Sequence, residues 1–500
     1  MIRTLANDDV VFVCPSADPS AYAKYGASLV AAGGVHSSDY VNKLRRQGIR
    51  TTGTMWCLTA GSHDLHTHPD LVEATARDIE GRPIAVPWLA RGSFQETPDY
   101  FGCVNHPAFR AHLRRKVCDA MAGGPDGLHV DEHLGSAYTA LHLGGCYCDW
   151  CMQGFANYLK KKAAPELLSL AKTPSFDNFD YCAFVKNIAS TREKYLALQE
   201  SVPLRAAFID FQLGCASDNV VSLGKLAADV AGAAVSLSAN VCLPGLEHTV
   251  VLPHLTYCAS EVAHNAAEGA SGLADAVLAY RMAETLGRPM ASTATAQDWA
   301  FVKENGAEQL VRLWIALSYA CGQRFMVPNR MLCSGKGGAP QWYCGSPSFF
   351  APLYGFVKEH GRLLNDFKAV GPLAAPAKIP TSFETFEKRK VLAETLNALP
   401  NSPITAGKDA WVFPRVKNDG SVVVHVVNLA YNATTKRISP QKNVEIRMAN
   451  ALFKRNFSGA TAFGCEVEPV KLTVRNEGGD CCFTVPELGL WSIVTFEYWA

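Results

Sequence analysis

The sequence has almost no excess of charge of either sign. Its 500 residues include 47 Lys and Arg against 46 Asp and Glu. Recognition of nucleic-acid phosphates relies on clustered Lys and Arg, so this balance argues against a nucleic-acid partner. No apolar run approaches the roughly 20 residues that span a bilayer, so we expect no membrane partner. Repeats at solenoid spacing are also lacking. The composition is that of an ordinary globular protein.

The chain also lacks the layout of a secreted protein. The N-terminal segment MIRTLANDDVVFVCPSA is interrupted by Asp8 and Asp9, and its apolar part VVFVC is typical of a first strand. The 17 cysteines are scattered and odd in number, unlike a disulfide framework. We therefore expect a reduced, cytoplasmic protein with one metal cluster. A signal peptide already removed from the chain would leave the same pattern.

Short apolar strands alternate with amphipathic helices over about the first 370 residues, a pattern that predicts parallel βα units. Eight strands are predicted, the number that closes a (β/α)8 TIM barrel. In chain order they are residues 10–15, 52–58, 84–89, 127–131, 234–240, 255–260, 289–293 and 324–328. We thus predict an α/β protein with a catalytic barrel over residues 1–370.

A Pro- and Ala-rich segment, GPLAAPAKIP, begins at Gly371. Beyond it, short alternating strands separated by turn residues predict an all-β sandwich over residues 371–500. This region has few acids near apolar residues, so we assign it a packing or assembly role. A homo-oligomer is one form that such assembly could take.

The segment 125–155 combines two kinds of chemistry. Its strand ends in the adjacent carboxylates Asp131 and Glu132, and a C-x-C-x-x-C cluster follows at Cys146, Cys148 and Cys151. Three thiolates this close can share one ion, and a structural zinc takes four ligands in a tetrahedron. Cys103, in the loop before, can reach them if the two loops are neighbours on one rim. Ordinary buried cysteines are the alternative, and the tight triplet argues against it. We therefore predict structural Zn²⁺ bound by four cysteines.

The motif CYCDWCMQGFANYL, placed after a strand that ends in an acid, resembles the family 42 glycoside hydrolases, the β-galactosidases. That family has a similar cysteine cluster, completed by an earlier cysteine in the loop after its third strand. The resemblance implies a barrel glycosidase whose acid/base aligns with Glu132. It departs at the seventh strand, where the family has a nucleophilic Glu and PMASTATAQDW has none.

The motif DGLHVDEHLG is similar to the fourth-strand motif of the family 66 dextranases and cyclodextran-forming enzymes. There the Asp that aligns with Asp131 is the nucleophile, and the acid/base is a Glu at the end of the sixth strand. YCASEVAH puts Glu261 at that place. The two resemblances together imply a divergent (β/α)8 glycoside hydrolase acting on a carbohydrate substrate.

Glycoside hydrolysis needs two carboxyl groups on either side of the bond. We predict Asp131 as nucleophile or base and Glu261 as proton donor, with Glu132 as the alternative acid/base. Successive strand residues point to opposite faces, so Asp131 and Glu132 are not both expected in the pocket. Carboxylates held in rim salt bridges are the alternative for each acid.

Sugar rings stack on aromatic side chains, and their hydroxyls pair with amides and charged groups. Such residues fall at predicted strand ends, although core packing is as good an explanation for any single one. The predicted substrate-binding set is Trp56, Trp88, Arg91, Asn240, His264, Asn265, Asp298, Trp299 and Arg330.

Two other functions are also compatible with parts of the sequence. The pair His66-x-His68 resembles the His-x-His of metal-dependent amidohydrolases, but that chemistry needs the pair at the first strand and an Asp at the eighth. The segment RFMVPNR at the eighth strand has no acid. A non-catalytic sugar-binding barrel would keep the aromatic residues and tolerate loss of the acids, which are present here.

Overall fold

A computed structural model describes residues 4–89, 97–162, 164–243, 245–334, 341–370, 404–407, 409–453 and 455–498. Within them, eight parallel strands, β1–β8, pair in chain order. They are β1 Val11–Phe12, β2 Leu29–Val30, β3 Arg50–Trp56, β4 Gly127–Asp131, β5 Ser236–Ala239, β6 Tyr257–Val262, β7 Met290–Ala294 and β8 Arg324–Phe325. The backbone N–H of Val327 donates to the Val11 carbonyl at 2.8 Å, which brings β8 back beside β1. The predicted barrel is confirmed.

Two strand assignments were wrong, although the count of eight is correct. The predicted strand at 84–89 makes only isolated antiparallel bridges, such as Ala85 with Tyr100, and is not part of the barrel. The missing strand is Leu29–Val30, and the predicted second strand is therefore β3. A strand of two residues is too short to carry an alternating pattern, which is why it escaped prediction.

Helices cover the outside of the barrel. The described helices are Ser20–Tyr25, Ser38–Arg46, Ser62–Thr67, Pro107–Met121, Ser136–Tyr138, Asp149–Lys162, Pro165–Ala171, Tyr181–Lys186, Arg192–Leu198, Arg205–Ala231, Ala274–Thr285, Ala296–Asn305, Glu308–Ala320 and Pro347–Glu359. The helix Pro107–Met121 packs directly on β3, where a Cβ on Gly53 would lie 2.1 Å from the Ala120 carbonyl oxygen. Glycine is thus required there for the close approach of helix and strand. Among the described residues, no helix has the length and hydropathy needed to cross a membrane.

Strand register decides which side chains enter the barrel. His129 of β4 lies beside Thr54 of β3 and Ser238 of β5, and its Nδ1 is 3.0 Å from the Ser238 hydroxyl. The next inward layer toward the C-terminal end contains Trp56, Asp131 and Asn240, because strand residues alternate between faces. This layer opens at the end of the barrel where active sites of this fold form.

Antiparallel strands follow the barrel and form the predicted sandwich. A six-stranded sheet contains Lys368–Ala369, Ala410–Val416, Val422–Asn428, Phe457–Gly464, Val467–Leu472 and Trp491–Tyr498. The facing four-stranded sheet contains Ile404–Ala406, Gln441–Ala449, Val474–Glu477 and Asp480–Leu488. The predicted domain boundary at residue 370 stays a prediction, since residues 371–403 lie outside the described part of the chain.

The six-stranded sheet shares a hydrophobic core with the barrel helices. Trp491 packs against Tyr319 and Phe356, with ring centroids 6.4 and 5.1 Å apart. Arg415 reaches across to the barrel and donates to Glu284 at 2.7 Å. The C-terminal sandwich, or β region, therefore packs on the barrel and shares one hydrophobic interior with it.

Candidate active site

The end of β4 presents two carboxylates to the barrel mouth. Asp131 is the last strand residue and faces inward, and Glu132 follows with φ of 56°. A positive φ is costly for a non-glycine residue and is found preferentially at functional sites. This turn ends the strand alternation, so Glu132 does not point away from Asp131 as the sequence led us to expect. Both acids are half-buried.

Glu261 joins these two acids from β6. It is the register partner of Thr293 on β7 and shares the inward face of β6 with Ala259. Burial raises the pKa of Glu261 to about 7, and the negative charge of Asp131 contributes to that rise. The two predicted catalytic residues therefore interact electrostatically at the same end of the barrel.

The three carboxyl groups have unequal pKa values. Burial raises the pKa of Asp131 to about 6, and a hydrogen bond from Asn240 opposes that rise. Burial, with the charges of Asp131 and Glu261, raises the pKa of Glu132 to about 8. Neighbouring acids of different pKa can divide the roles of base and proton donor between them.

Asn240 holds Asp131 from the next strand. Its amide Nδ2 donates to Asp131 Oδ1 at 3.4 Å, and its Oδ1 accepts from the Cys242 thiol at 3.7 Å. The backbone carbonyl of Asn240 lies 3.1 Å from His133 Nδ1. Asn240 thus orients the aspartate, as well as lying in the predicted position at the mouth.

A fourth acid, Glu247, lies in the loop after β5. Burial would raise its pKa, but His142 and His248 lower it to about 2. Their Nε2 atoms are 3.7 and 3.9 Å from Glu247 Oε1. Unlike the three acids on β4 and β6, Glu247 is therefore ionised at every physiological pH. Glu247 was not predicted from the sequence, because it lies within a loop and does not follow directly on a strand.

Trp88 and Trp56 form aromatic surface near the acids. Trp88 is 50% exposed and packs edge-on against Tyr138, with ring centroids 5.3 Å apart. The charge of Glu132 is close enough to raise the pKa of Tyr138, for which burial is the larger cause. Trp56 is the register partner of Asp131 and is also half exposed. Both indoles are available to a ligand.

Arg330 lies beyond β8 with φ of 55°. Its Nη1 donates to the Pro15 carbonyl at 2.9 Å, at the end of β1. Burial raises the pKa of the nearby Cys14 thiol, while Arg330 lowers it and Asp131 raises it. Cys14 is thus close to both charged groups, and Arg330 lies on the same rim as the acids.

Three members of the predicted binding set are buried behind the strands. His264 lies within hydrogen-bond distance of the Tyr280 hydroxyl and the Val262 carbonyl, and its ring packs on Trp314. Asp298 forms a capping box with Thr295 at the start of a helix and accepts from the backbone N–H of His264. Trp299 donates from Nε1 to Thr293 Oγ1 at 2.9 Å and is 1% exposed. These contacts are structural, and no ligand could reach them without rearrangement.

Asn265 and Arg91 are the last two members of the predicted binding set. Asn265 donates to the Gly272 carbonyl and to Asp275, which holds its own loop together. Arg91 lies outside the described residues.

The structure brings Cys103, Cys146, Cys148 and Cys151 together. Their sulfur atoms all lie within 4.8 Å of one another, and Cys103 Sγ is 3.5 Å from the sulfurs of Cys148 and Cys151. Four sulfurs around a tetrahedral zinc are about 3.8 Å apart, given Zn–S bonds of about 2.3 Å. Cys103 lies in the loop after β3, which is next to the loop after β4. This neighbouring position allows Cys103 to reach the other three cysteines.

The surroundings of this cluster suit thiolate ligands. The backbone N–H of Arg77 points to Cys146 Sγ at 3.3 Å, and Asn105 Nδ2 points to Cys151 Sγ at the same distance. Donors of this kind stabilise negatively charged sulfur around a metal. His106 instead caps its helix, accepting from the Ala108 N–H at Nδ1. The cluster could therefore bind a metal ion through four cysteines.

Within the described residues, the histidines after β3 do not form a metal centre. Asp64 pairs with Lys116 at 2.8 Å, and His68 packs against His112. Among the described residues, the four cysteines are the only group of three or more His, Cys, Asp or Glu whose ligand atoms lie this close together. The amidohydrolase hypothesis thus lacks its ligand set in this part of the chain.

No family model and no curated protein matches this sequence. Among solved structures, α-L-fucosidase isoenzyme 2 from Paenibacillus thiaminolyticus is similar with a TM-score of 0.57 and 10% identity, over 99% of this chain and 100% of that one. A cycloisomaltooligosaccharide glucanotransferase from Paenibacillus sp., complexed with cycloisomaltoheptaose, gives a TM-score of 0.59 and 11% identity over 98% of this chain and 85% of its own. The likeness covers barrel and β region together, and at these identities it establishes the fold.

Proposed function

We propose that the protein is a glycoside hydrolase that cleaves an O-glycosidic bond with Asp131 as nucleophile or base and Glu261 as proton donor. The observation that carries this proposal is the group of three interacting carboxyl groups at the C-terminal end of β4 and β6, each with a raised pKa. The likeness in fold to a fucosidase and to a cycloisomaltooligosaccharide glucanotransferase supports it.

The pKa values fit this division of roles. Near pH 6.5, Asp131, with a pKa of about 6, is mostly ionised, while Glu261, with a pKa of about 7, is mostly protonated. Glu261 would donate its proton to the glycosidic oxygen as the bond from that oxygen to the anomeric carbon breaks. Asp131 would attack the anomeric carbon or take a proton from the attacking water. Trp56, Trp88, Asn240 and Arg330 are the members of the predicted set that we retain for substrate binding.

We also propose that the four cysteines hold a structural zinc ion. Four protein ligands leave no open position for water, so the ion would brace the loops after β3 and β4 without entering the reaction. None of the 17 cysteines, all of which lie within the described residues, forms a disulfide. This supports our proposal that the protein works in a reducing compartment such as the cytoplasm.

The test is a screen of p-nitrophenyl glycosides of both anomers against the purified protein, followed by variants. We expect Asp131→Asn and Glu261→Gln each to reduce kcat/KM by about 10²- to 10⁴-fold. Glu268→Gln, an exposed acid in the loop after β6, is the matched control and should retain activity. Full activity of both Asp131→Asn and Glu261→Gln would show that the assignment is wrong.

A further inference from the structure

A short hairpin rises from the rim after β8 and carries an exposed tryptophan. Its strands are Met331–Cys333 and Gln341–Tyr343, in which Leu332 is the partner of Trp342. Met331, Cys333 and Tyr343 are buried, whereas Leu332 and Trp342 are 43% and 44% exposed. The hairpin therefore has one packed face and one apolar face that is open to solvent.

The packed face holds the hairpin against the C-terminal end of β7. Thr293, the register partner of Glu261, donates from Oγ1 to Met331 Sδ at 3.4 Å. Tyr343 stacks on Trp299 with ring centroids 5.2 Å apart, and Trp299 donates to the same Thr293 hydroxyl. The hairpin that carries Trp342 is thus held in place by four buried side chains.

Arg330 lies between Trp342, on the open face of the hairpin, and the loop that follows β1. Its guanidinium carbon lies 5.4 Å from the centroid of the Trp342 ring, and its Nη1 bonds to Pro15 at the end of β1. The next residue toward the barrel, Cys14, is in electrostatic contact with both Arg330 and Asp131. Within the described residues, Pro15 is the only acceptor of this guanidinium, so its other N–H groups can donate to a ligand.

The indole of Trp342 and the guanidinium of Arg330 together suit the binding of a sugar ring. The C–H faces of a pyranose pack on an indole, and its hydroxyls accept hydrogen bonds from a guanidinium at the edge. A guanidinium stacked on the indole also limits the motion of both side chains, which lowers the cost of binding.

We propose that Trp342 and Arg330 form a carbohydrate subsite for a sugar next to the one whose bond is cleaved, so that the substrate is an oligosaccharide. This inference rests on the proposed function for the place of cleavage. It assigns Trp342, which the sequence did not single out, as a determinant of substrate length.

The experiment compares an aryl monoglycoside that the protein hydrolyses with isomaltoheptaose, maltoheptaose, cellopentaose and a galactan-derived pentaose. The oligosaccharide that is cleaved fastest serves for the comparison. Trp342→Ala should lower the ratio of kcat/KM for this oligosaccharide to kcat/KM for the aryl glycoside about tenfold, as expected for one lost ring contact. Trp342→Phe should restore part of the ratio. Trp150→Ala, a tryptophan 46% exposed beside His106, is the matched control and should keep the wild-type ratio.

Binding separates this inference from the proposed function. In the Asp131→Asn background, titration calorimetry with the same four oligosaccharides should give a Kd that Trp342→Ala raises about tenfold. An unchanged ratio and Kd, or no binding and no cleavage of any of the four, would overturn the subsite. Undiminished hydrolysis by both Asp131→Asn and Glu261→Gln would overturn the proposed function instead, whatever Trp342→Ala does.

Discussion

Asp131 and Glu132 are consecutive residues, yet their carboxyl groups belong to one electrostatic cluster. The strand ends at Asp131, and Glu132 adopts a left-handed conformation with φ of 56°. The charges of Asp131 and Glu261 both raise the pKa of Glu132, for which burial is the largest cause. The cluster of Asp131, Glu132 and Glu261 thus contains one carboxyl group more than a two-acid mechanism requires.

Glu132→Gln decides between the two candidates for proton donor. If Glu261 is the donor, the variant should keep kcat/KM within about tenfold of wild type, since the donor and Asp131 are both present. A loss of about 10²- to 10⁴-fold would instead make Glu132 the donor. Aryl glycosides with good and poor leaving groups sharpen the measurement, because a missing proton donor slows the poor leaving group most.

The pH dependence of kcat/KM should be a narrow bell with apparent pKa values near 6 and 7, which belong to the coupled group of acids. Asn240→Ala removes the hydrogen bond that opposes the rise in the pKa of Asp131. The acidic limb of this variant should therefore move to higher pH, and its alkaline limb should stay in place. A shift of the alkaline limb alone would contradict the assignment of Asp131.

Glu132→Gln should also change how stability depends on pH. The pKa of Glu132 is about 8 in the folded protein, against an ordinary value of 4.5. The folded state therefore binds more protons than the unfolded state between these values, and the contribution of Glu132 to stability falls as pH rises from 4.5 to 8. The Tm of the variant should match that of the wild type near pH 4.5 and exceed it at pH 8, by scanning calorimetry.

Glu247→Gln is the control, because its effect on stability should depend on pH in the opposite direction. The pKa of Glu247 is lowered to about 2 by His142 and His248 despite its burial. Its contribution to stability is present above the ordinary value and is lost as pH falls toward 2. This variant should therefore melt below the wild type at neutral pH, and the difference should shrink in acid. Equal shifts for both variants would point to general damage.

If the four cysteines hold zinc as proposed, loss of the ion should lower the stability of the protein more than its activity. Elemental analysis should find one zinc ion per chain, and Cys151→Ser should lower both the zinc content and the Tm. Cys118→Ser, at an exposed thiol on the helix Pro107–Met121, should leave both unchanged. A fully active, stable Cys151→Ser variant without zinc would show that the cluster holds no structural ion.

Sequence patterns located the fold and the acids, but not the details of the rim. The ends of β4 and β6 were predictable because apolar runs stop there at Asp131 and Glu261. The orientation of Glu132 was not, since it depends on a backbone turn that breaks strand alternation. His264, Asp298 and Trp299 follow strands in the sequence, but a capping box and aromatic packing turn them into the interior. Trp342 escaped notice because its hairpin strand has only three residues.

The packing of Trp491 on Tyr319 and Phe356 bears on how the chain could be divided in the laboratory. Cutting the chain after the barrel would bare this aromatic surface to water and leave Glu284 without Arg415. Burial of one large aromatic side chain is worth about 1.5–3 kcal/mol, a sizeable part of the net stability of a domain. Isolated barrels should accordingly self-associate or precipitate, so the barrel and the sheets that follow it should be produced as one chain.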